Sequence, residues 1–227
     1  MRHVLPPDAS WCPGKSISSP VSEMVSLDPA KLELPATYKL MVGGVLPRPI
    51  AFVTTLNSNG TVNLAPFSYF NAVSSNPPAI MFAIARKPNG DKKDTLLNVE
   101  RTGEFVVNSV SEWMAQPMNH CSAEYPYGVS ELEKVGLTAV ASDIVGPPRV
   151  KESPLHMECK VYSSLLVGNG DAGSSTVIIG EVLRFHIHKP AYLNGKIVVD
   201  EMKPLSRLGG FAYGTIGDIF ELPRPTV

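Results

Sequence analysis

The chain has 227 residues, 44% of them hydrophobic and 18% charged, with 20 Lys and Arg against 21 Asp and Glu. A formal charge of −1 and the lack of any Lys/Arg cluster remove the electrostatic attraction that drives nucleic-acid binding. The longest purely apolar run, residues 79–85, is far short of the ~20 residues of a membrane-spanning helix, and residues 1–10 lack the apolar stretch of a signal peptide; the expectation is a cytoplasmic protein with neither nucleic acid nor membrane as partner.

The hydrophobic fraction supports a sizeable core in one large domain or two small ones. The charged fraction lies below the usual ~25%, as it would if a second subunit covered part of the surface. Cys12, Cys121 and Cys159 are odd in number and far apart, which argues for reduced thiols rather than a disulfide framework or a zinc knuckle.

Six prolines fall in the first 35 residues, with Ser16, Ser18, Ser19 and Ser22 between them. Proline blocks both helix interiors and central strands, so residues 1–34 read as an extended arm that stays mobile or lies on a neighbour. Residues 36–42 have helical composition, and Gly43-Gly44 supplies the left-handed stop. Residues 50–56 are β-branched and apolar, 57–60 form a turn and 61–64 resume the pattern, which predicts a hairpin. Further strands are expected at 79–85, 104–110, 155–166 and 175–188, each bounded by turn residues. Asp94 is placed to cap a helix over 95–101 that Gly103 ends, and Ser111 to cap one starting at Glu112. Long strands with few helices exclude a doubly wound parallel sheet. The fold class is mainly β, a closed antiparallel barrel with peripheral helices over residues 35–220, followed by a tail at 221–227.

Gly168-Asn169-Gly170-Asp171-Ala172-Gly173 matches the dinucleotide-binding glycine pattern, but strand residues rather than a helix follow it, so a hairpin loop is expected. His186 and His188 are two apart on one predicted strand and would share a face. No third ligand is evident from the spacing of His120, His156 or Cys159, so no metal is assigned. No nucleophile elbow occurs, and Cys121 beside His120 reads as a buried thiol. In the stretch 86–95, Arg86, Lys93 and Thr95 bring cations and a hydroxyl to a helix start. That chemistry suits a phosphate dianion, and an ordinary exposed basic loop is the other reading.

Four ordered segments, 47–55, 63–71, Lys93-Asp94-Thr95 with Asn98, and 103–108, together resemble the flavin reductase-like family of the Greek-key FMN-binding split-barrel fold. Residues 180–182 and 205–210 continue the likeness, which runs from about 35 to 217. The resemblance implies a homodimer with FMN near the subunit interface, its phosphate held by Arg86, Lys93 and Thr95. It also implies that Thr54, Thr55 and the loop from Asn63 through Ala65, Pro66 and Ser68 to Asn71 line the ring and ribityl chain. Phe67, Tyr69 and Phe70 are equally core residues, and Arg48 either touches flavin or braces the barrel mouth. His186 is the one side-chain candidate for a catalytic role beside the nicotinamide, against a packed strand histidine. The cofactors carry the reactivity in such chemistry. The leading expectation is an NAD(P)H-dependent flavin reductase, with a partner monooxygenase as one destination for its product. An electron-carrier flavoprotein and a non-catalytic ligand-binding barrel are the alternatives.

Overall fold

The computed structural model describes residues 1–226. Seven strands carry the fold: β1 (Ala51–Leu56), β2 (Val62–Phe67), β3 (Phe70–Ser75), β4 (Pro78–Ala85), β5 (Glu104–Ser109), β6 (Leu155–Val167) and β7 (Ser175–Ile187). They form one antiparallel sheet in the order β2-β1-β5-β6-β7-β4-β3.

Period-two alternation sends Ala51 and Val53 of β1, Ile80, Phe82 and Ile84 of β4, and Phe105 and Val107 of β5 into one core, which Leu96 and Val99 join. Phe82 packs on Phe67 and Phe105 with ring centroids 5.4 and 5.2 Å apart. Burying each phenyl ring stabilises the fold by roughly 1.5–3 kcal/mol. A Cβ at Gly180 would collide with the Phe105 ring, so the close approach of β7 to this core requires glycine there. The opposite face of β1 and β2 is also covered: Phe52 and Leu64 pack with Met114, Met118 and Leu132 in a second core. This double covering explains why 50–56 reads as a continuous apolar run rather than an alternating one.

The sheet order runs from β2 to β3 without pairing these two edges, so the barrel is open at this seam, the split form that the family resemblance implied. The chemistry of β2 accounts for its unpaired edge. Pro66 has no N–H to offer, and the Leu64 N–H donates to the Glu131 carboxylate at 2.9 Å. β3 went unpredicted because five of its six residues are exposed and its composition is mixed.

Helix α1 (Leu34–Gly44) is longer than expected, and both glycines are helical residues rather than its stop. Helix α2 (Asp94–Thr102) does end at Gly103, which adopts φ 70°, the left-handed region glycine enters without steric cost. Its cap position is Lys93, not Asp94: Asp94 is the first helical residue and its carboxylate pairs with Lys87 Nζ at 3.3 Å. Ser111 does not cap either; its hydroxyl donates to the Met202 carbonyl at 2.6 Å. A 3-10 turn at Glu112–Met114 leads into α3 (Ala115–His120), and α4 (Glu131–Lys134) follows.

In the arm, Arg2–His3 pairs in parallel with Asp218–Ile219, and residues 4–28 form neither strand nor helix. Residues 221–226 are irregular; Val227 of the expected tail lies outside the described residues. A small sheet of Tyr213–Thr215, Leu205–Arg207 and Arg48–Pro49 sets Arg207 directly opposite Arg48.

Candidate functional site

Two adjoining grooves lie along the free edge of β2. The first is lined by Asn63, Ala65, Pro66 and Phe67, by Lys87, Lys93, Asp94 and Thr95, and by the 121–125 loop. Asn63 is 2% exposed, and its amide donates to the Thr55 and Thr95 hydroxyls at 3.0 Å each. The Asn98 amide donates to the same Thr55 oxygen at 3.0 Å and to Asn57 Oδ1 at 2.8 Å. This buried network pins the start of α2 against β1 and β2. Because Thr95 Oγ1 already accepts from Asn63, its own proton is free to be given away.

The start of α2 has no side-chain cap. The N–H groups of Leu96 and Leu97 both reach the Lys93 carbonyl, at 2.9 and 3.1 Å, leaving those of Asp94 and Thr95 without an acceptor among the described residues. Lys93 is exposed by total surface, yet the protein around its ammonium pushes its pKa below the ordinary lysine value by desolvation; Glu124 opposes that shift and Lys87 adds to it. No carboxylate oxygen lies within 4.0 Å of Lys93 Nζ among the described residues. Three acids do line the groove. Asp94 is paired with Lys87, and burial raises the Glu131 pKa despite its backbone hydrogen bonds; Glu124 is exposed. Burial likewise pushes the Cys121 thiol up to about 12, so this cysteine is no thiolate nucleophile.

The second groove shares Pro66 and Ser122 with the first and adds Tyr38, Ile50, Ser68, Met118, Asn119, Arg207 and Tyr213. Arg207 is its one charged lining residue. The guanidinium lies over the Tyr213 ring, 4.5 Å from the centroid, and donates to the Gly210 carbonyl at 2.6 Å. The Tyr213 hydroxyl donates to Asn119 Oδ1 at 2.8 Å, which ties the platform to α3.

Of the residues singled out in the sequence, Asn63, Ala65, Pro66, Lys93 and Thr95 meet in the first groove and Ser68 stands in the second. Arg86 lines neither; its backbone N–H donates to the Ser174 carbonyl and its Nε is buried without a partner among the described residues, while Lys87 occupies the groove wall. Thr54 is fully buried and donates to the Pro148 carbonyl at 2.5 Å. Thr55 belongs to the network behind the groove. Arg48 is 4% exposed and donates to the carbonyls of Val42, Val45 and Leu208 and to the Ser68 hydroxyl, the bracing arrangement of its two readings. Asn71 is exposed on β3 and accepts from the Ala72 N–H.

His186 lines neither groove. Its Nε2 donates to Glu158 Oε1 at 2.6 Å. Glu158 is fully buried; burial opposes its ionisation, but the N–H groups of Asp143, Ile144 and Val145 together with His186 outweigh that cost and hold its pKa at about 2. The strand register sets His156 directly opposite His186, a meeting that residue spacing did not reveal. His156 Nδ1 donates to Asn108 Oδ1 at 2.9 Å. Asp143, Glu158 and His186 have ligand atoms within 4.8 Å of one another, but the Glu158 oxygens already accept four N–H donors and Asp143 pairs with Arg184 at 2.6 Å. The cluster is a hydrogen-bonded knot. His188 falls beyond β7, at the start of a 3-10 turn, rather than on the strand face with His186.

Lys87, Tyr38, Asn119, Ser122, Arg207 and Tyr213 were not singled out beforehand. Lys87 and Arg207 each lie inside a motif that was recognised, but nothing in a linear motif says which cation faces a cavity.

Residues 42–199 match the flavin reductase like domain, and the chain belongs to that family. It is 43% identical over 194 residues to YwrF of Bacillus subtilis, covering 84% of this chain and 94% of that protein. Nitrilotriacetate monooxygenase component B from Bacillus cereus superposes with TM-score 0.85 at 38% identity, covering 89% of this chain and all of that one. The 2-nitrobenzoate 2-nitroreductase NbaA of Pseudomonas fluorescens gives 0.80 at 32% identity, covering 89% and 97%. These likenesses make the protein an oxidoreductase with flavin as its cofactor. Among the described residues, no helix is long and apolar enough to cross a membrane.

Proposed function

We propose that this chain is an NAD(P)H:flavin oxidoreductase that binds FMN along the paired grooves, with the phosphate at the start of α2 and the ring toward Ser68. The observation that carries this reading is the convergence of donors without protein partners: the first two N–H groups of α2, the Thr95 hydroxyl and the Lys93 ammonium, all at one end of a groove. Such a set fits a phosphate dianion. Bound FMN supplies the electron-accepting ring, and reduced nicotinamide the hydride.

The residues of the chain hold and orient. Lys93 and the α2 start fix the phosphate, and the Asn63–Thr95–Asn98 network keeps that end rigid. Pro66 and Phe67 give the groove an apolar wall, while Arg48 holds the segment before β1 in place. His186, tied to Glu158, positions the sheet rather than the nicotinamide.

The protein works in the cytoplasm as a homodimer. Tyr162, Leu165 and Leu166 of β6 and Phe185 of β7 are 64, 63, 45 and 51% exposed, apolar side chains along the β6–β7 hairpin that contact with a second copy would cover. The similarity to a monooxygenase component B supports a partner monooxygenase as consumer of the reduced flavin. The test is an absorbance spectrum of FMN-loaded protein followed by anaerobic addition of NADH or NADPH. Bleaching of the flavin band is expected. FMN that binds tightly but resists both donors would identify an electron carrier instead.

A further inference from the structure

We infer that Arg207, seated on Tyr213, is the cation that stabilises the reduced flavin ring and thereby sets its reduction potential. This rests on the FMN reading above and deepens it. With the phosphate at the start of α2, the ring end of the cofactor extends past Pro66 and Ser122 into the second groove. That groove contains one charged residue, Arg207, and no carboxylate. The guanidinium is pre-positioned from two sides, by the Tyr213 ring at 4.5 Å and by the Gly210 carbonyl at 2.6 Å, and Asn119 fixes Tyr213 in turn. No carboxylate lies within 4.0 Å of Arg207 among the described residues. Nη2 is engaged with Gly210, and the remaining guanidinium N–H groups have no acceptor among the described residues.

A cation with unspent donors matters because of the electron count. A hydride brings two electrons and one proton: FMN + NAD(P)H → FMNH⁻ + NAD(P)⁺. The reduced ring therefore carries one negative charge until it takes a second proton. An arginine stays protonated throughout and favours that charged product over the neutral oxidised ring. The groups facing this groove that could titrate or carry charge are Tyr38, Tyr213 and Arg207 on its lining and Arg48 behind Ser68, so no acid there offsets the effect.

The experiment is a potentiometric titration of FMN-loaded wild type, Arg207→Gln and Arg207→Lys, with thermal melts as a folding check. Arg207→Gln should lower the ratio of reduced-FMN to oxidised-FMN affinity about tenfold, a shift of about 30 mV to more negative potential for this two-electron couple. Arg207→Lys should keep most of the wild-type potential. The pH at which the potential changes slope should rise in Arg207→Gln, because the uncompensated ring takes its second proton more readily. A variant that binds FMN too weakly to titrate is read through its separate dissociation constants for oxidised and reduced FMN. Equal potentials in wild type and Arg207→Gln, with FMN bound in both, would overturn the role of Arg207 and leave the FMN reading standing. Failure of the native protein to bind FMN would overturn both.

Discussion

The Glu158 knot and the start of α2 are both dense in charged and polar groups, and they differ in one respect. Around Glu158 the oxygens accept from Asp143, Ile144, Val145 and His186. Asn108, next to it on the sheet, donates to Phe52, accepts from Val150 and receives His156. Polar groups buried this way are held because leaving any one unpaired is expensive. At the start of α2 the first helix N–H groups, the Thr95 proton and the Lys93 ammonium have no hydrogen-bond acceptor among the described residues, although Asp94, Glu124 and Glu131 line the same groove. The first region holds the sheet together; the second is, on the function proposed above, completed by a phosphate from outside.

The largest effect should come from breaking the satisfied region. Glu158→Ala strips four donors of their acceptor and should cost about 3–5 kcal/mol, read from urea denaturation; a loss below about 1 kcal/mol would mean that the knot is not structural.

Acid comes next. Burial lowers the His156 pKa from 6.5 to about 4, with Arg149 and His186 adding to the shift and Glu158 opposing it. Between those values the unfolded chain binds a proton that the folded one refuses, so stability should fall as pH drops from 6.5 to 4, by at most about 3 kcal/mol. The Glu158 pKa is lowered as well, in the carboxylate range and because its ionised form is favoured: its stabilisation is complete above pH 4.5 and is lost as pH falls toward 2. Urea denaturation across pH should show both phases, and His156→Gln should flatten the upper one.

Arg48→Met should cost about 2 kcal/mol by leaving the Val42, Val45 and Leu208 carbonyls without their donor. Its melting temperature checks this, and a variant as stable as wild type would reopen a direct role toward flavin.

Lys93→Ala tests the unsatisfied region and should move stability least. A surface lysine contributes no more than about 0.5 kcal/mol, so the apoprotein should melt nearly as wild type does, while FMN affinity falls about tenfold.

Much of the barrel was legible because strand signals are local. The hairpin of β1 and β2, the long strands β6 and β7, and the glycine-rich loop between them all follow from runs bounded by turn residues. β3 escaped because an exposed edge strand needs no apolar alternation. Asp94 and Ser111 looked like caps, and each instead spends its side chain on a tertiary partner, Lys87 or Met202. At the site, Lys93 and Thr95 were readable because a helix start and its cation adjoin in sequence. Arg86 and Lys87 are consecutive, and only the fold shows which one faces the groove. Arg207, Tyr213 and Asn119 come together from distant segments, as do Glu158, His186 and Asp143, and no spacing rule announces such meetings.

The central claim is that the start of α2 receives a phosphate. Calorimetric titration of the native protein with FMN and with riboflavin isolates it, since the two ligands share the ring and ribityl chain and differ in the phosphate alone. Each charge-assisted hydrogen bond to phosphate contributes about 1.5–3 kcal/mol, so FMN should bind at least about tenfold more tightly. Equal affinities for the two would contradict the account.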